Sequence, residues 1–274
     1  MNELNNHIQE LILKKHGVDI SQYDIGFLNK SISKRIEETQ CDSDSSYLEL
    51  IKLNVDESEH FLDSLLISYS YFFRNSLTFS TLEKIILPSI ILNKINSHKK
   101  EIRIWSAACA AGQETYSIAI LLNEFSASIG EKINFRIFAT DQSEAQIDAA
   151  QSGIYSDSSL QNVSLKRLNN WFSKENETYR VNPILKKNID FSVFDLLSDD
   201  HIAPPSSIFG DFDVVICANL LFYYQSLSRT KIINKVNQCL SPDGFLLTGE
   251  TERDILMKAN FHEIYHQSAI FRKH

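Results

Sequence analysis

Apolar residues recur along the first part of the chain with a helical period. Leu4, Ile8, Leu11 and Ile12 share one face, and Phe27, Ile32 and Ile36 suggest a second. Tyr47, Leu48, Leu50 and Ile51 suggest a third, and Phe61, Leu62, Leu65 and Leu66 continue the spacing. The acidic run Asp56–Glu59 suits the first turn of the helix carrying Phe61, because carboxylates are favoured at the positive end of a helix dipole. The first hundred residues therefore read as helix after helix.

Beyond them, strand-like runs alternate with helical ones. The sequence predicts strands at Ile102–Ala107, Asn134–Asp141, Ile189–Val193, Asp213–Leu221 and Gly244–Gly249, with strand-like stretches around Ile264–Phe271. Helices are expected to about Ala127, to about Gln151, and from about Gln225 to Leu240, where S-P-D-G turns the chain into the next strand. Such alternation indicates a parallel sheet with helices on both faces, and the short loop between the last strands suggests an appended antiparallel hairpin. The expectation is an α/β, Rossmann-like sheet domain over residues 81–274, preceded by an all-α domain over residues 1–80. Residues 156–188 fit neither pattern; they are polar, contain Trp171 and Phe172, and are expected to form a small inserted subdomain.

The stretch Glu101–Ala119, E-I-R-I-W-S-A-A-C-A-A-G-Q-E-T-Y-S-I-A, passes from alternation through a run of small residues to a helical pattern at Gln113. A strand entering a helix through a small-residue turn lets backbone amides approach a ligand closely. Glu114 falls in the first turn of that helix, which favours a ligand with an amine over a bare phosphate. The turn lacks G-x-G-x-x-G and Gly-Lys-Ser/Thr, against a dinucleotide or P-loop site. Taken alone, the segment fits an ordinary strand-turn-helix equally well.

Composition narrows the function classes. A chain of 274 residues with 43% hydrophobic content can bury a full core as one large domain or two small ones. It contains no apolar run of the roughly 18 residues that a membrane span needs, and M-N-E-L-N-N-H-I-Q-E has no apolar signal region. A cytoplasmic protein that does not insert into membranes is expected. Cys41, Cys109, Cys217 and Cys239 lack C-x-x-C spacing, so reduced thiols are expected, with Cys109 and Cys217 as small buried hydrophobes. His262 and His266 lack a third ligand nearby, and no metal is expected. The net charge of −8 opposes nucleic-acid binding, which depends on phosphate neutralisation.

Ligands of an open parallel sheet sit beyond the carboxyl ends of its strands. Glu114, Asp141, Asp195 and Asn219 all fall at such ends. Each alone reads as a helix cap; the four together suit a nucleoside with a charged tail. Upstream, I-S-Y-S-Y-F-F-R-N (Ile67–Asn75) reads either as a core anchor with a solvated charge or as a lid placing Arg74 over the ligand.

Five motifs in order resemble the chemotaxis receptor methyltransferases, the CheR family. W-S-A-A-C-A-A-G-Q-E-T-Y-S-I-A is similar to the family's W-S/C-A-A-A-S-T-G-E-E-P-Y-S-I-A, and I-S-Y-S-Y-F-F-R-N to T-N-L-T-A-F-F-R-E. F-A-T-D-Q-S with A-A-Q-S-G-I-Y resembles A-T-D-I-D with K-A-R-x-G-I-Y. C-A-N-L-L-F-Y-Y resembles C-R-N-V-M-I-Y-F, and P-D-G-F-L-L-T-G-E-T-E resembles P-G-G-L-L-F-x-G-H-S-E. The resemblance implies a class I methyltransferase sheet that uses S-adenosylmethionine to methylate glutamate side chains of chemoreceptor cytoplasmic domains, releasing S-adenosylhomocysteine. It implies Ser68, Ser70 and Arg74 at the methionine end of the cofactor, Glu114 at its amino group and Asp141 at its ribose. Asp195, Leu196, Asn219 and Leu220 would border the adenosine, and Tyr223 the transferred methyl, with Arg74 or Tyr223 orienting the acceptor. A monomer is expected. Two other functions stay open: methylation of another acceptor, and a catalytically silent cofactor-binding module.

Departures from the family pattern fall at Ser68, Ser70, Gln113, Thr115, Asp195 and Ala218. Residues 1–80 carry thirteen Asp/Glu against seven Lys/Arg, where the family offers a basic helix; Lys30, Lys34 and Arg35 remain as a local cluster. The inserted segment lacks the glycines usual in the family's β-subdomain, which in some members docks a receptor tail.

Overall fold

The computed structural model describes residues 2–66, 69–95, 101–207 and 209–273. The chain divides into two compact units, Met1–Ile67 with Phe222–Thr230, and Ser68–Leu221 with Lys231–His274.

Four helices build the first unit: α1 (Asn2–His16), α2 (Ile25–Glu38), α3 (Asp44–Leu53) and α4 (Val55–Leu65). The starts of α2, α3 and α4 are set by side-chain caps. Asp24 Oδ1 accepts from the amides of Gly26 and Phe27 at 2.9 and 3.2 Å. Ser43 and Ser46 exchange bonds in a capping box, and Asn54 Oδ1 accepts from Glu57 N at 3.2 Å. Each cap contributes about 1 kcal/mol. The four apolar stripes read from the sequence supply the core, with Ile8, Ile12, Ile32, Tyr47, Ile51, Phe61 and Leu65 all buried. Glu57 is buried among them and accepts from Arg35 Nε at 3.0 Å and Tyr47 Oη at 2.9 Å. Burial, reinforced by the Glu57 charge, pushes the Tyr47 phenol up and keeps its proton in that bond. Phe222–Thr230 joins these helices through a bridge between Tyr23 and Tyr224, whose rings stack at 5.0 Å.

The second unit opens with α5 (Ser76–Thr81), which runs through a π-helical turn (Leu82–Ile86) into α6 (Leu87–Ile95). There follow β1 (Glu101–Ser106), α7 (Gln113–Ile129), β2 (Asn134–Asp141), α8 (Glu144–Ser152), β3 (Ile154–Ser156), α9 (Leu165–Trp171), β4 (Phe172–Glu175), β5 (Thr178–Val181) and β6 (Ile189–Val193). The chain ends with β7 (Phe212–Ile216), α10 (Ser226–Cys239), β8 (Leu240–Leu247), α11 (Arg253–Lys258), β9 (Phe261–Glu263) and β10 (Ile270–Lys273). Seven strands form one sheet in the order β6-β2-β1-β7-β8-β10-β9. The first five are parallel, and β10 is antiparallel to both its neighbours. The expected α/β sheet and its antiparallel C-terminal pair are both present.

The strand order reverses at β1: one continuation runs outward to β2 and β6, the other to β7 and β8. The crevice beyond the carboxyl ends of β1 and β7 is therefore the natural ligand position of this sheet.

Three local expectations are corrected. The strand expected over Asp213–Leu221 stops at Ile216, because the chain turns and Asn219 takes a left-handed φ of 60°. The S-P-D-G turn lies inside β8 as an irregularity: Leu240 pairs with Phe212, but Phe245 with Val214. The final strands are shorter than the stretch around Ile264–Phe271, which mostly forms the turn between them. The segment that fitted neither period, residues 156–188, holds α9, β4 and β5. With β3, which ends at its first residue, it forms a separate antiparallel sheet, β3-β5-β4. Among the described residues no helix is long and apolar enough to cross a membrane.

Candidate active site

The turn after β1 is fastened to both neighbouring strands by its own backbone. Ala107 N donates to Ile216 O at 2.8 Å, at the end of β7. Cys109 N donates to Thr140 O at 2.9 Å, and Ala110 N to Asp141 Oδ2 at 2.9 Å, at the end of β2. Small residues are required because the turn lies at this junction: Ala107 and Cys109 are buried. Gly112, the N-cap of α7, takes a φ of 88°, and a Cβ there would come within 2.9 Å of Ala150 Cβ. Left-handed backbone and overpacking both oppose a side chain, so Gly112→Ala is expected to cost about 2–4 kcal/mol. Urea unfolding measures this; unchanged stability would remove the close-approach account of the turn.

Glu114, in the first turn of α7, points back to the end of β1, where Ser106 Oγ donates to its Oε1 at 2.7 Å. Burial pushes this carboxyl up to about 7, opposed by the Ser106 bond and the Arg74 charge and reinforced by the charge of Glu252. Among the described residues no Lys or Arg pairs with Glu114 at salt-bridge distance. Asp141 accepts from Ala110 N and from Ser143 N at 3.0 Å, so it ties the turn to the start of α8. Burial raises its carboxyl, and the amides of Ser143, Ala110 and Gln142 pull it back. Phe194 N donates to Asp141 O at 2.9 Å and joins the end of β6 to the same edge. Asp195 follows, exposed, with its Oδ1 accepting from Leu197 N at 2.7 Å, and Leu196 is buried.

The other wall is built around Glu252, which no period or spacing marked. Its side chain is fully buried. Oε1 accepts from Leu221 N at 2.6 Å, and Oε2 from Asn219 N at 2.7 Å, Gly249 N at 2.8 Å and Thr248 Oγ1 at 2.9 Å. These bonds hold Asn219 in its left-handed turn. Gly249 must lack a side chain, since a Cβ would stand 2.5 Å from Asn219 Nδ2. The only sequence sign of Glu252 is its place at the end of the T-G-E-T-E motif.

The structure thus brings Glu114, Asp141, Asp195, Leu196, Asn219 and the half-buried Leu220 to the carboxyl edge of one sheet. Ser70 and Arg74 lie in the loop before α5, half-buried; Arg74 Nη1 donates to Tyr69 O at 2.8 Å, and its guanidinium stands 5.5 Å from the Tyr71 ring centre. Ser68 lies outside the described residues. Tyr223 belongs to the helical unit, its ring 5.0 Å from that of Phe27 and 4.2 Å from that of Phe222.

Two observations test the fit of a nucleoside that carries an ammonium group. Glu114 is a half-buried carboxylate with a hydroxyl donor but no paired cation among the described residues. Next to it, Gln113 is 6% exposed, and its Oε1 has no hydrogen-bond partner among the described residues. A cationic end of a ligand satisfies the half-buried Glu114, whereas Gln113 Oε1 is closed off from solvent. The His, Cys, Asp and Glu side chains of the described residues form no group that could hold a metal.

Comparison with known proteins points to the same chemistry. Residues 68–270 match the family model described as CheR methyltransferase, SAM binding domain, and residues 6–66 match CheR methyltransferase, all-alpha domain. A chemotaxis protein methyltransferase of Borreliella burgdorferi is 28% identical over 249 residues, 89% of this chain and 85% of that protein. Chemotaxis protein methyltransferase 1 of Pseudomonas aeruginosa is 31% identical over 198 residues, 71% and 69% of the two chains. Among solved structures, the DszA carbon methyltransferase aligns with a TM-score of 0.41 at 15% identity, over 90% of this chain and about half, 51%, of that one.

Proposed function

The chain belongs to the CheR methyltransferase family, and from that membership we propose that it transfers the methyl group of S-adenosylmethionine to glutamate carboxylates of chemoreceptors. As a family member it binds S-adenosylmethionine and acts as a methyltransferase of chemotaxis. When bound, the cofactor supplies an electrophilic methyl on a sulfonium. In this reading Glu114 receives its amino group, Asp141 its ribose, and Asp195, Leu196, Asn219 and Leu220 border its adenosine. Ser68 and Ser70 are assigned the methionine end on the family likeness of I-S-Y-S-Y-F-F-R-N. Tyr223 is assigned the place near the methyl on the family likeness of C-A-N-L-L-F-Y-Y. The division into residues 1–80, 81–274 and the inserted 156–188, and action as a monomer in the cytoplasm, belong to the same proposal.

The observation that carries the acceptor assignment is the placement of Arg74. Its charge acts on Glu114, and its guanidinium is braced by Tyr69 O and the Tyr71 ring. A cation held at the edge of an acidic site suits an anionic acceptor. A glutamate carboxylate is ionised at neutral pH, so it attacks without a general base. Orientation and exclusion of water are what the protein must supply. Burial, together with neighbouring carboxylates, pushes the Cys109 and Cys217 thiols well up. They stay protonated and do not compete with the acceptor for the methyl.

The test is incubation of the protein, methyl-labelled S-adenosylmethionine and chemoreceptor cytoplasmic domains. Base-labile label on glutamate is expected, and Arg74→Ala should reduce its rate about a hundredfold, the effect of removing one preorganised electrostatic group. Cofactor binding without label on any receptor domain would overturn the acceptor assignment.

A further inference from the structure

We propose that Arg167 in α9 is a positioning residue for Arg74, so that the inserted β3-β5-β4 segment sets the conformation of the loop that carries the acceptor-facing cation. The proposal rests on the reading of Arg74 given above.

Phe73, the residue before Arg74, takes a φ of 50°. That left-handed region is a genuine outlier for a bulky aromatic and persists only where the surroundings enforce it. The enforcing contacts come from two directions. From α7, Ser117 Oγ accepts from Phe73 N at 3.0 Å while donating to Gln113 O at 2.7 Å, in the turn that holds Glu114. From the inserted segment, Asn162 Nδ2 donates to Phe73 O at 3.3 Å, and Ser159 O accepts from Phe72 N at 3.0 Å. The Phe72 ring meets Tyr155 and Phe172 edge-on at 4.9 and 5.1 Å.

Arg167 closes this arrangement. Its guanidinium carbon lies 4.6 Å from the centre of the Phe73 ring. The same group donates to Glu124 of α7 through Nε and Nη2 at 3.0 and 2.8 Å, and to Glu83 at 2.7 Å. Glu83 lies in the π-helical turn, a helix irregularity that recurs at functional sites. Trp171 Nε1 adds a bond to the other oxygen of Glu124 at 3.0 Å. A planar fork fixed on two carboxylates is a rigid plate, and the Phe73 ring rests on it. With the plate gone, the Phe73 ring loses its support, and the bonds from Ser117 and Asn162 are left to hold the strained backbone. The direction in which residue 74 leaves the turn then loosens. Arg167 touches no reacting group in this scheme; it acts through Phe73.

Two measurements test this. Amide exchange in Arg167→Gln should rise at least tenfold at Phe72 and Phe73, with β1 and α7 unchanged; a uniform rise, or none at those two amides, would overturn the proposal. In methyl transfer to receptor domains, Arg167→Gln should lower kcat about tenfold and leave the KM for S-adenosylmethionine within about twofold. Asn162→Ala, a milder variant, should lower kcat about threefold. Neither change should matter once Arg74 is alanine: the double variants should match Arg74→Ala within about twofold. Multiplying effects would make Arg167 a general structural residue and overturn the proposal. If Arg74→Ala itself is silent, or receptor domains take no label, the reading of Arg74 or of the acceptor falls. The exchange measurement still decides for or against Arg167.

Discussion

Replacing Glu252 by glutamine should lower the stability of the protein by about 3 kcal/mol and abolish most of its activity. The carboxylate accepts four donors, three on Oε2 and one on Oε1. An amide offers one acceptor and one donor group. Turned one way, its NH2 faces Leu221 N–H; turned the other, it faces Asn219 N–H, Gly249 N–H and Thr248 Oγ1. Because the site is fully buried, water cannot repair the mismatch. An unsatisfied buried donor costs roughly 1–3 kcal/mol, and bonds to a charged acceptor are the stronger kind. Activity should fall further than stability alone requires, since Asn219 depends on this carboxylate for its left-handed turn. Urea unfolding of the full chain measures the first effect. A loss below about 0.5 kcal/mol would show that the four contacts are not acting together.

Glu114→Gln should weaken binding of S-adenosylhomocysteine about a hundredfold and flatten its pH dependence. Desolvation pushes this half-buried carboxyl up to about 7, from the ordinary 4.5 of a glutamate. The raised value means that the folded protein holds a proton here that the unfolded chain has lost. Without ligand, this group's contribution to stability therefore declines as pH rises from about 4.5 to about 7, and is constant above that. Binding an ammonium has the opposite sign, because only the ionised carboxylate pairs with it. Between pH 6 and pH 8 the ionised fraction rises about tenfold, and affinity should rise by the same factor. Titration calorimetry at pH 6, 7 and 8 reads both effects. An affinity that does not change across that window, or a Gln variant that binds as wild type, would separate Glu114 from the amino group.

The parts legible in the sequence were those with long periods or strand-turn-helix punctuation. Asn134–Asp141 and Ile189–Val193 coincide with β2 and β6 because their ends abut turns, and the stripe through Ile8 and Ile12 is buried as spaced. Glu114 was legible because its place in the first turn after a small-residue junction is local information. Glu252 was not, since its importance lies in gathering amides from residues 219, 221 and 249, a contact made only by folding. The inserted segment was legible as a unit, but its strands escaped for a different reason. Strands of three or four residues are too short to display alternation, and β3, β4 and β5 are held by Tyr155, Phe172 and Val181 at a few buried points. The coupling of Arg167 to Phe73 likewise spans 94 positions of sequence and leaves no local mark.

The placement of Phe222–Thr230 limits how this protein can be divided. The family descriptions break the chain once, near residue 67, which suggests a catalytic fragment obtainable by excision. The fold contradicts that modularity. Tyr224 stacks on Tyr23, Gln225 N bonds Gln22 O, and Tyr223 O accepts from Asp24 N. A gene fragment starting at residue 69 would keep the nine-residue segment and lose every one of those partners. The two units are therefore interleaved along the chain, and a cut near residue 67 separates Phe222–Thr230 from the helices it packs on.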